Sequence, residues 1–122
     1  MKILIVEDNQ ANILFMREAC KAFGWNADLV ESGQKCLEAL DARPDTYEVV
    51  LMDIHMPQMS GLEAAKEIRK RDAERDVHTT LIAVTADITQ ANRRACEAAG
   101  FDDFLQKPVQ LPALREIVTK FM

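Results

Sequence analysis

The sequence predicts an α/β fold in which a parallel sheet of five strands is wound with five helices on both faces. Three observations lead there. Short apolar, β-branched runs recur five times, and stretches of helical period separate them. The runs are continuously apolar rather than alternating, as in strands buried on both faces. The length, 122 residues, is that of one domain. An eight-fold barrel needs about twice as much chain, so an open, doubly wound sheet with right-handed crossovers is expected.

The first strand is KILIV, residues 2–6. The helix after it buries Ile13, Met16, Cys20 and Phe23, at steps of three, four and three, and stops at Gly24. ADLV (27–30) is the second strand, followed by a shorter stripe of Cys36, Leu37 and Leu40. YEVVLM (47–52) is the third. Ser60 and Glu63 then form a capping box that opens the third helix, with Leu62, Ala65 and Ile68 inward. TLIAV (80–84) precedes a fourth helix marked by Ala91, Ala95 and Ala98 and closed by Gly100. FDDFL (101–105) is the weakest strand, because Asp102 and Asp103 interrupt it, and an edge position is expected. The fifth helix carries Leu111, Leu114, Val118 and Phe121, with Pro112 in the first turn, where a missing N–H does no harm.

Composition excludes several functions. Fifteen basic against twenty acidic residues, a net charge of −5, argues against a nucleic-acid face. The apolar start at Ile3–Val6 is cut off by Glu7-Asp8, too short for a signal peptide, and nothing approaches the roughly 20 apolar residues of a membrane span. A soluble, cytoplasmic protein is expected. Cys20, Cys36 and Cys96 are odd in number and lack CxxC spacing, which suits free thiols rather than disulfides or zinc. Arg69, Lys70, Arg71 and Arg75 interleave with Glu67, Asp72, Glu74 and Asp76, as on a solvated helix end. Met52, Met56 and Met59 read as core and loop filling, not a copper site. Trp25 reads as packing at a helix–strand corner, and His78 shows no partner in sequence.

Sites in open α/β sheets form beyond the carboxyl ends of the strands, where strand order reverses. Strand one ends in Glu7-Asp8, strand three in Asp53, strand four in Thr85 and strand five in Lys107-Pro108. If the order is 2-1-3-4-5, strands one and three are neighbours and Glu7, Asp8 and Asp53 converge. Three packed carboxylates raise one another's pKa unless a cation compensates, and a hard divalent ion such as Mg²⁺ suits oxygen ligands. Lys107 adds a fixed positive charge and Thr85 a hydroxyl donor. That set suits phosphoryl transfer to a carboxylate, with Asp53 attacking phosphorus and Lys107 and Thr85 holding equatorial oxygens. A single polar residue at a strand end is ordinary; five at one sheet edge suggest a site. A flavin or nucleotide protein would want a Gly/Ser/Thr-rich anion loop after strand one, where Glu7-Asp8-Asn9-Gln10 repels anions. An aspartyl-phosphate phosphatase would carry its nucleophile in a D-x-D pattern ending strand one, not strand three.

The segments KILIVEDN, VVLMDIHMPQMSGLEAAKEIR, LIAVTAD and AGFDDFLQKPV resemble the receiver domain of two-component response regulators, over essentially the whole chain, read as one receiver domain, 1–122. The E-D-N start and the LMDIxMPxMSGLEA run are closest in flavour to receivers of hybrid sensor histidine kinases. The resemblance implies a flavodoxin-like sheet in the order 2-1-3-4-5 and makes Asp53 the phosphoacceptor. It implies Mg²⁺, with Mn²⁺ or Ca²⁺ able to substitute, bound by Asp8 directly, Glu7 mainly through water, Asp53, and the backbone carbonyl of His55. Thr85 and Lys107 would sense the phosphoryl group, Phe104 would be the aromatic switch tracking Thr85, and Lys107-Pro108 would be a cis peptide. The implied donor is a sensor histidine kinase or a histidine phosphotransfer protein. The domain would catalyse its own phosphorylation and slow dephosphorylation rather than act as a stand-alone enzyme. The fourth helix, fifth strand and fifth helix would form an output or homodimer surface, and the domain would bind no nucleic acid and no membrane.

His55 and Asp87, two residues after Asp53 and Thr85, fall where the family varies and tunes dephosphorylation; they are read as modulators of water access. His55 as a relay histidine or metal ligand is the weaker reading, because no second His or Cys lies at ligand spacing. The alternative to phosphotransfer is a phosphorylation-independent pseudo-receiver, a binding module, disfavoured because all five chemical positions carry competent residues.

Overall fold

The computed structural model describes residues 2–43 and 46–121. The elements are β1 (Lys2–Val6), α1 (Gln10–Phe23), β2 (Asn26–Val30), α2 (Gly33–Ala42) and β3 (Val49–Asp53). They continue as α3 (Gly61–Arg75), β4 (Leu81–Thr85), α4 (Gln90–Ala99), β5 (Asp103–Gln106) and α5 (Leu111–Lys120). The sheet order is β2-β1-β3-β4-β5, with every pairing parallel, as helical crossovers require. No described helix is long and apolar enough to cross a membrane.

Successive strand residues point to opposite faces, so each strand feeds two cores. Leu4, Val6, Val50, Met52, Leu81 and Ala83 pack with α2, α3 and α4. Ile3, Ile5, Val49, Leu51, Ile82 and Val84 pack with α1 and α5. β1, β3 and β4 are sandwiched and almost wholly buried, whereas β2 and β5 lie at the edges. β2 is therefore half-buried rather than buried on both faces.

Strand boundaries shift slightly from the sequence reading. Tyr47 and Glu48 precede β3, and the Tyr47 hydroxyl donates to Asp28 Oδ2 at 2.6 Å. Phe101 and Asp102 precede β5, because the Asp102 carboxylate accepts the Leu81 N–H at 2.8 Å.

The helix stripes hold where the side chains are large. Met16, Cys20, Cys36, Leu37, Ile68, Leu114 and Val118 are buried as expected, while Phe23 and Leu62 are half-buried. The alanine stripe of α4 needs correction. Cys96 and Ala99 face inward, Ala95 is half-buried, and Ala91 and Ala98 are exposed. Leu111 is likewise exposed at the start of α5. The Ser60–Glu63 capping box is made in both directions at 3.2 Å. Gly24 and Gly100 close α1 and α4 in the left-handed conformation. The three cysteines are buried and free. Burial pushes Cys20 up to about 11 and Cys36 up to about 12, leaving protonated, inert thiols.

The charged end of α3 is more than a solvated face. Arg69 donates to the Gly100 carbonyl at 2.9 and 2.6 Å, to the Thr79 carbonyl at 2.7 Å, to Asp72 at 2.7 Å and to Asp102 at 3.0 Å. Asp72 is buried and also accepts from the Thr79 N–H and hydroxyl. The guanidinium thus ties α3 to the start of β4 and to the C-terminus of α4. His78, without a partner in sequence, pairs with Asp102 at 2.7 Å, and Arg71 and Arg75 both reach Asp41 at 2.9 Å.

Arg69→Met keeps the apolar stem but leaves the buried Asp72 carboxylate without its cation. It is expected to cost about 3 kcal/mol, read as a lower urea midpoint at unchanged slope. Lys70→Met, one residue along on the exposed side, should stay within about 0.5 kcal/mol.

Candidate functional site

Strand periodicity places the polar residues. The β1–β3 ladder ends at Val6↔Met52, so Glu7 and Asp53 occupy the next rung. Alternation puts Glu7 with Ile5, Asp53 with Leu51 and Lys107 with Leu105, all toward α1 and α5. Thr85 alternates with Ala83, toward α4, on the face against which Phe104 also packs.

One carboxylate oxygen from each of Glu7, Asp8 and Asp53 falls within a cluster no wider than 4.8 Å. Asp8 is exposed, whereas Glu7 and Asp53 are buried. Lys107 Nζ stands 3.1 Å from Asp53 Oδ2 and 3.4 Å from Glu7 Oε1. Its backbone N–H donates to the Thr85 carbonyl at 2.9 Å, and the Lys107–Pro108 peptide is cis. The His55 N–H donates to Asp53 Oδ1 at 3.1 Å, and the His55 side chain is exposed. Glu7, Asp53 and Lys107 border a cavity of about 270 Å³ walled by Phe15, Met16, Pro108 and Val109.

The loop from Asp53 to α3 is tightly drawn. A Cβ on Gly61 would come within 2.6 Å of the Asp53 carbonyl oxygen and 2.8 Å of Ile54 Cα, so the backbone approaches as only glycine allows. Gln58 in the same loop takes φ 68°, a strain of about 1 kcal/mol for a residue with a Cβ.

Burial pushes the Glu7 carboxyl up to about 7; the neighbouring Asp53 carboxylate adds to the rise, while Asn12 and Lys107 oppose it. Asn12 Nδ2 donates to Glu7 Oε1 at 2.5 Å, but Glu7 Oε2 is buried with no partner among the described residues. A buried carboxylate oxygen without a donor, beside two further carboxylates and one lysine, fits a divalent cation with oxygen ligands.

Thr85 is fully buried, and its hydroxyl accepts the Asp87 N–H at 3.0 Å. The Asp87 carbonyl accepts Asn92 Nδ2 at 2.6 Å, and its carboxylate accepts the Thr89 N–H at 3.0 Å, joining Thr85 to the N-terminus of α4. The Thr89 hydrogen bonds hold the Asp87 carboxyl below the usual carboxylate range, with the charge of His55 contributing. Phe104 is half-buried, with the Arg93 guanidinium 5.0 Å from its ring centroid. Glu7, Asp8, Asp53 and Lys107 therefore meet, His55 joins them through its backbone N–H, and Thr85, Asp87 and Phe104 lie on the α4 side. Asn12, Gly61 and Arg93 were absent from the sequence reading. For Asn12 a signal existed, an amide three residues after the helix-capping Asn9.

The family model described as the response regulator receiver domain matches residues 3–119. The chain is 34% identical over 121 residues to the aerobic respiration control sensor protein ArcB of Escherichia coli (strain K12). That match covers 99% of this chain but spans only 15% of the sensor protein's length. Among solved structures, the chain is similar to the receiver domain of sensor histidine kinase PA1611 from Pseudomonas aeruginosa, which has a magnesium ion coordinated in its active-site cleft. The TM-score is 0.86 at 32% identity, covering 98% of this chain and 95% of that one. It is also similar to a chain in the Saccharomyces cerevisiae complex of the histidine phosphotransfer protein Ypd1 with the receiver domain of Ssk1. There the TM-score is 0.93 at 28% identity, covering 99% of this chain and 88% of the other.

A carboxyl whose folded pKa lies near 7, against 4.5 ordinarily, resists ionisation in the folded state, so its contribution to stability is lost as pH rises through that window. With chelator present, Glu7→Gln, which cannot ionise, should melt about 5 °C above the wild type at about pH 8. The gain should vanish at about pH 3, below the ordinary 4.5, where the Glu7 carboxyl is protonated in the folded and the unfolded state alike. Thermal melts at the two pH values check this.

Proposed function

This chain belongs to the response regulator receiver domain family, and from that premise we propose that Asp53 accepts a phosphoryl group from the phosphohistidine of a partner protein in a reaction dependent on a divalent cation. The observation that carries the reading is the meeting of Asp53 with Lys107 at 3.1 Å inside a cluster of three carboxylates. In the transfer, an Asp53 oxygen forms the new bond to phosphorus as the phosphorus–nitrogen bond breaks, and the electron pair returns to the partner's imidazole. Glu7, Asp8, Asp53 and the backbone carbonyl of His55 are the groups to hold Mg²⁺, or Mn²⁺ or Ca²⁺ in its place. When bound, that ion would neutralise charge gathering on the carboxylates and phosphoryl oxygens. Lys107 supplies a further fixed charge to those oxygens.

Thr85 has a hydroxyl proton to offer a phosphoryl oxygen. Drawing the hydroxyl oxygen toward a phosphoryl group would lengthen its bond from the Asp87 N–H and so loosen the N-terminus of α4. Phe104, on the same face and half-buried, is placed to follow Thr85 and alter the surface formed by α4, β5 and α5. That surface is the proposed output or homodimer face. The donor would be a sensor histidine kinase or a histidine phosphotransfer protein, and the Ypd1–Ssk1 complex supports the latter chemistry. The domain would then be a self-modifying switch that hydrolyses its own aspartyl phosphate, in the cytoplasm where such donors act, and not a stand-alone enzyme.

Incubated with a small phosphodonor and Mg²⁺, the wild type should gain one phosphoryl group by intact-protein mass spectrometry, and Asp53→Asn none. Chelation should abolish the adduct. A folded wild type that forms neither an adduct nor a beryllofluoride complex would establish a binding module instead. His55→Ala and Asp87→Ala should each change the lifetime of the phosphorylated form about fivefold, the equivalent of about 1 kcal/mol in the hydrolysis barrier. Unchanged lifetimes would remove both residues from control of water access.

A further inference from the structure

We propose that Asn12 is a positioning residue for the divalent cation: its side-chain amide fixes one oxygen of Glu7 so that the other is presented to the ion or to a water bound to it. The inference rests on the metal-dependent reading above and adds to it a residue outside the ligand set. The argument begins at the helix start. Asn9 caps α1, its side chain accepting the Asn12 N–H at 3.1 Å. A polar side chain three residues after the cap ordinarily folds back onto the cap's own N–H. Asn12 instead reaches past the cap to Glu7 Oε1, at 2.5 Å. One turn of chain therefore works in two steps, with Asn9 holding the Asn12 backbone and Asn12 holding Glu7.

The distribution of donors on Glu7 separates positioning from ordinary satisfaction of a buried group. Lys107 Nζ already lies 3.4 Å from Oε1, yet Asn12 donates to that same oxygen. Oε2, buried in a residue only 4% exposed, has no donor among the described residues. A donor present merely to satisfy the carboxylate would be better spent on the oxygen that has none. Doubling donors on Oε1 stops the carboxylate from rotating and leaves a defined oxygen free. The chemistry of the donor matters too. An amide is neutral, so it orients the carboxylate without cancelling the negative charge that attracts a cation, as outer-shell partners of metal ligands do.

Metal affinity in solution tests this without reference to phosphorylation. Isothermal titration of the wild type, Asn12→Ala and Asn12→Gln with Mg²⁺ and separately with Ca²⁺ is the experiment. Alanine suits a helix, and circular dichroism checks that both variants fold. Asn12→Ala should weaken Mg²⁺ binding about 10-fold or more. Ca²⁺ binding should fall less, because Ca²⁺ tolerates irregular coordination whereas Mg²⁺ demands near-octahedral geometry. Asn12→Gln, which keeps an amide donor, should recover part of the Mg²⁺ affinity. A folded Asn12→Ala that stays within about twofold of the wild type for Mg²⁺, or that loses both ions equally, overturns the positioning role alone. A wild type that binds neither ion overturns the metal reading, and this proposal with it.

Discussion

The ion pair between Lys107 and two buried carboxylates, Asp53 at 3.1 Å and Glu7 at 3.4 Å, is the contact on which the rest of the site depends. Like charges gathered as closely as Glu7, Asp8 and Asp53 oppose folding, and the lysine offsets only part of that repulsion. The remainder falls on the packing. β1 and β3, which deliver the carboxylates, are sandwiched between helices and almost wholly buried, so the charges sit on backbone that cannot relax away. Lys107 comes from beyond the edge strand β5 and crosses the carboxyl edge of the sheet to meet them, its N–H fastened to the Thr85 carbonyl. A site that lowers stability in this way is what a functional constraint leaves in an otherwise well-packed domain.

The two ends of α4 are held by bonds of different strength. At the C-terminal end, Arg69 grips the Gly100 carbonyl with two charge-assisted hydrogen bonds while paired with buried Asp72. At the N-terminal end, the Asp87 carboxylate holds the Thr89 N–H within the loop, but the links from β4 to that loop and on to the helix are neutral, from the Asp87 N–H to the Thr85 hydroxyl and from the Asn92 amide to the Asp87 carbonyl. Neutral hydrogen bonds contribute about 1 kcal/mol each and charge-assisted ones up to about twice that. The end of the helix nearest the carboxylates is thus the one more easily freed, and the far end is its anchor.

The sheet was legible because large apolar side chains obey strand and helix periods, and the site because strand ends at the carboxyl edge must converge once β1 and β3 are adjacent. Glu7, Asp8, Asp53 and Lys107 could be brought together on paper by that topology alone. Residues whose meaning lies in distant contacts were not readable. Ala91, Ala95 and Ala98 suggested the wrong face of α4, because alanine is small enough to sit on either side of a helix. Arg69 looked like one of several surface charges, since nothing local shows that Gly100, Thr79 and Asp102 converge on it from loops 10 to 33 residues away. Asn12 differed in that its partner lies only five residues back. Its spacing nevertheless points to the cap at Asn9, because a polar side chain in a first helical turn ordinarily serves the helix.

Under the proposed switch, a period of two would give one site a chemical side and a reporting side. Glu7, Asp53 and Lys107 share the face of the sheet covered by α1 and α5, while Thr85 and Phe104 share the face covered by α4. The two faces meet past the strand ends, so influence between them passes around the carboxyl edge of the sheet. Thr85 provides that passage. Its carbonyl receives the Lys107 N–H, and its hydroxyl receives the Asp87 N–H that leads to α4. In the proposed switch, a charge arriving beside Lys107 would therefore reach a residue bonded to Lys107 through its main chain and to the α4 loop through its side chain. β4 is buried and hydrogen-bonded on both edges, so the strand is held from both sides, whereas the Thr85 hydroxyl is tied by one neutral hydrogen bond from the Asp87 N–H.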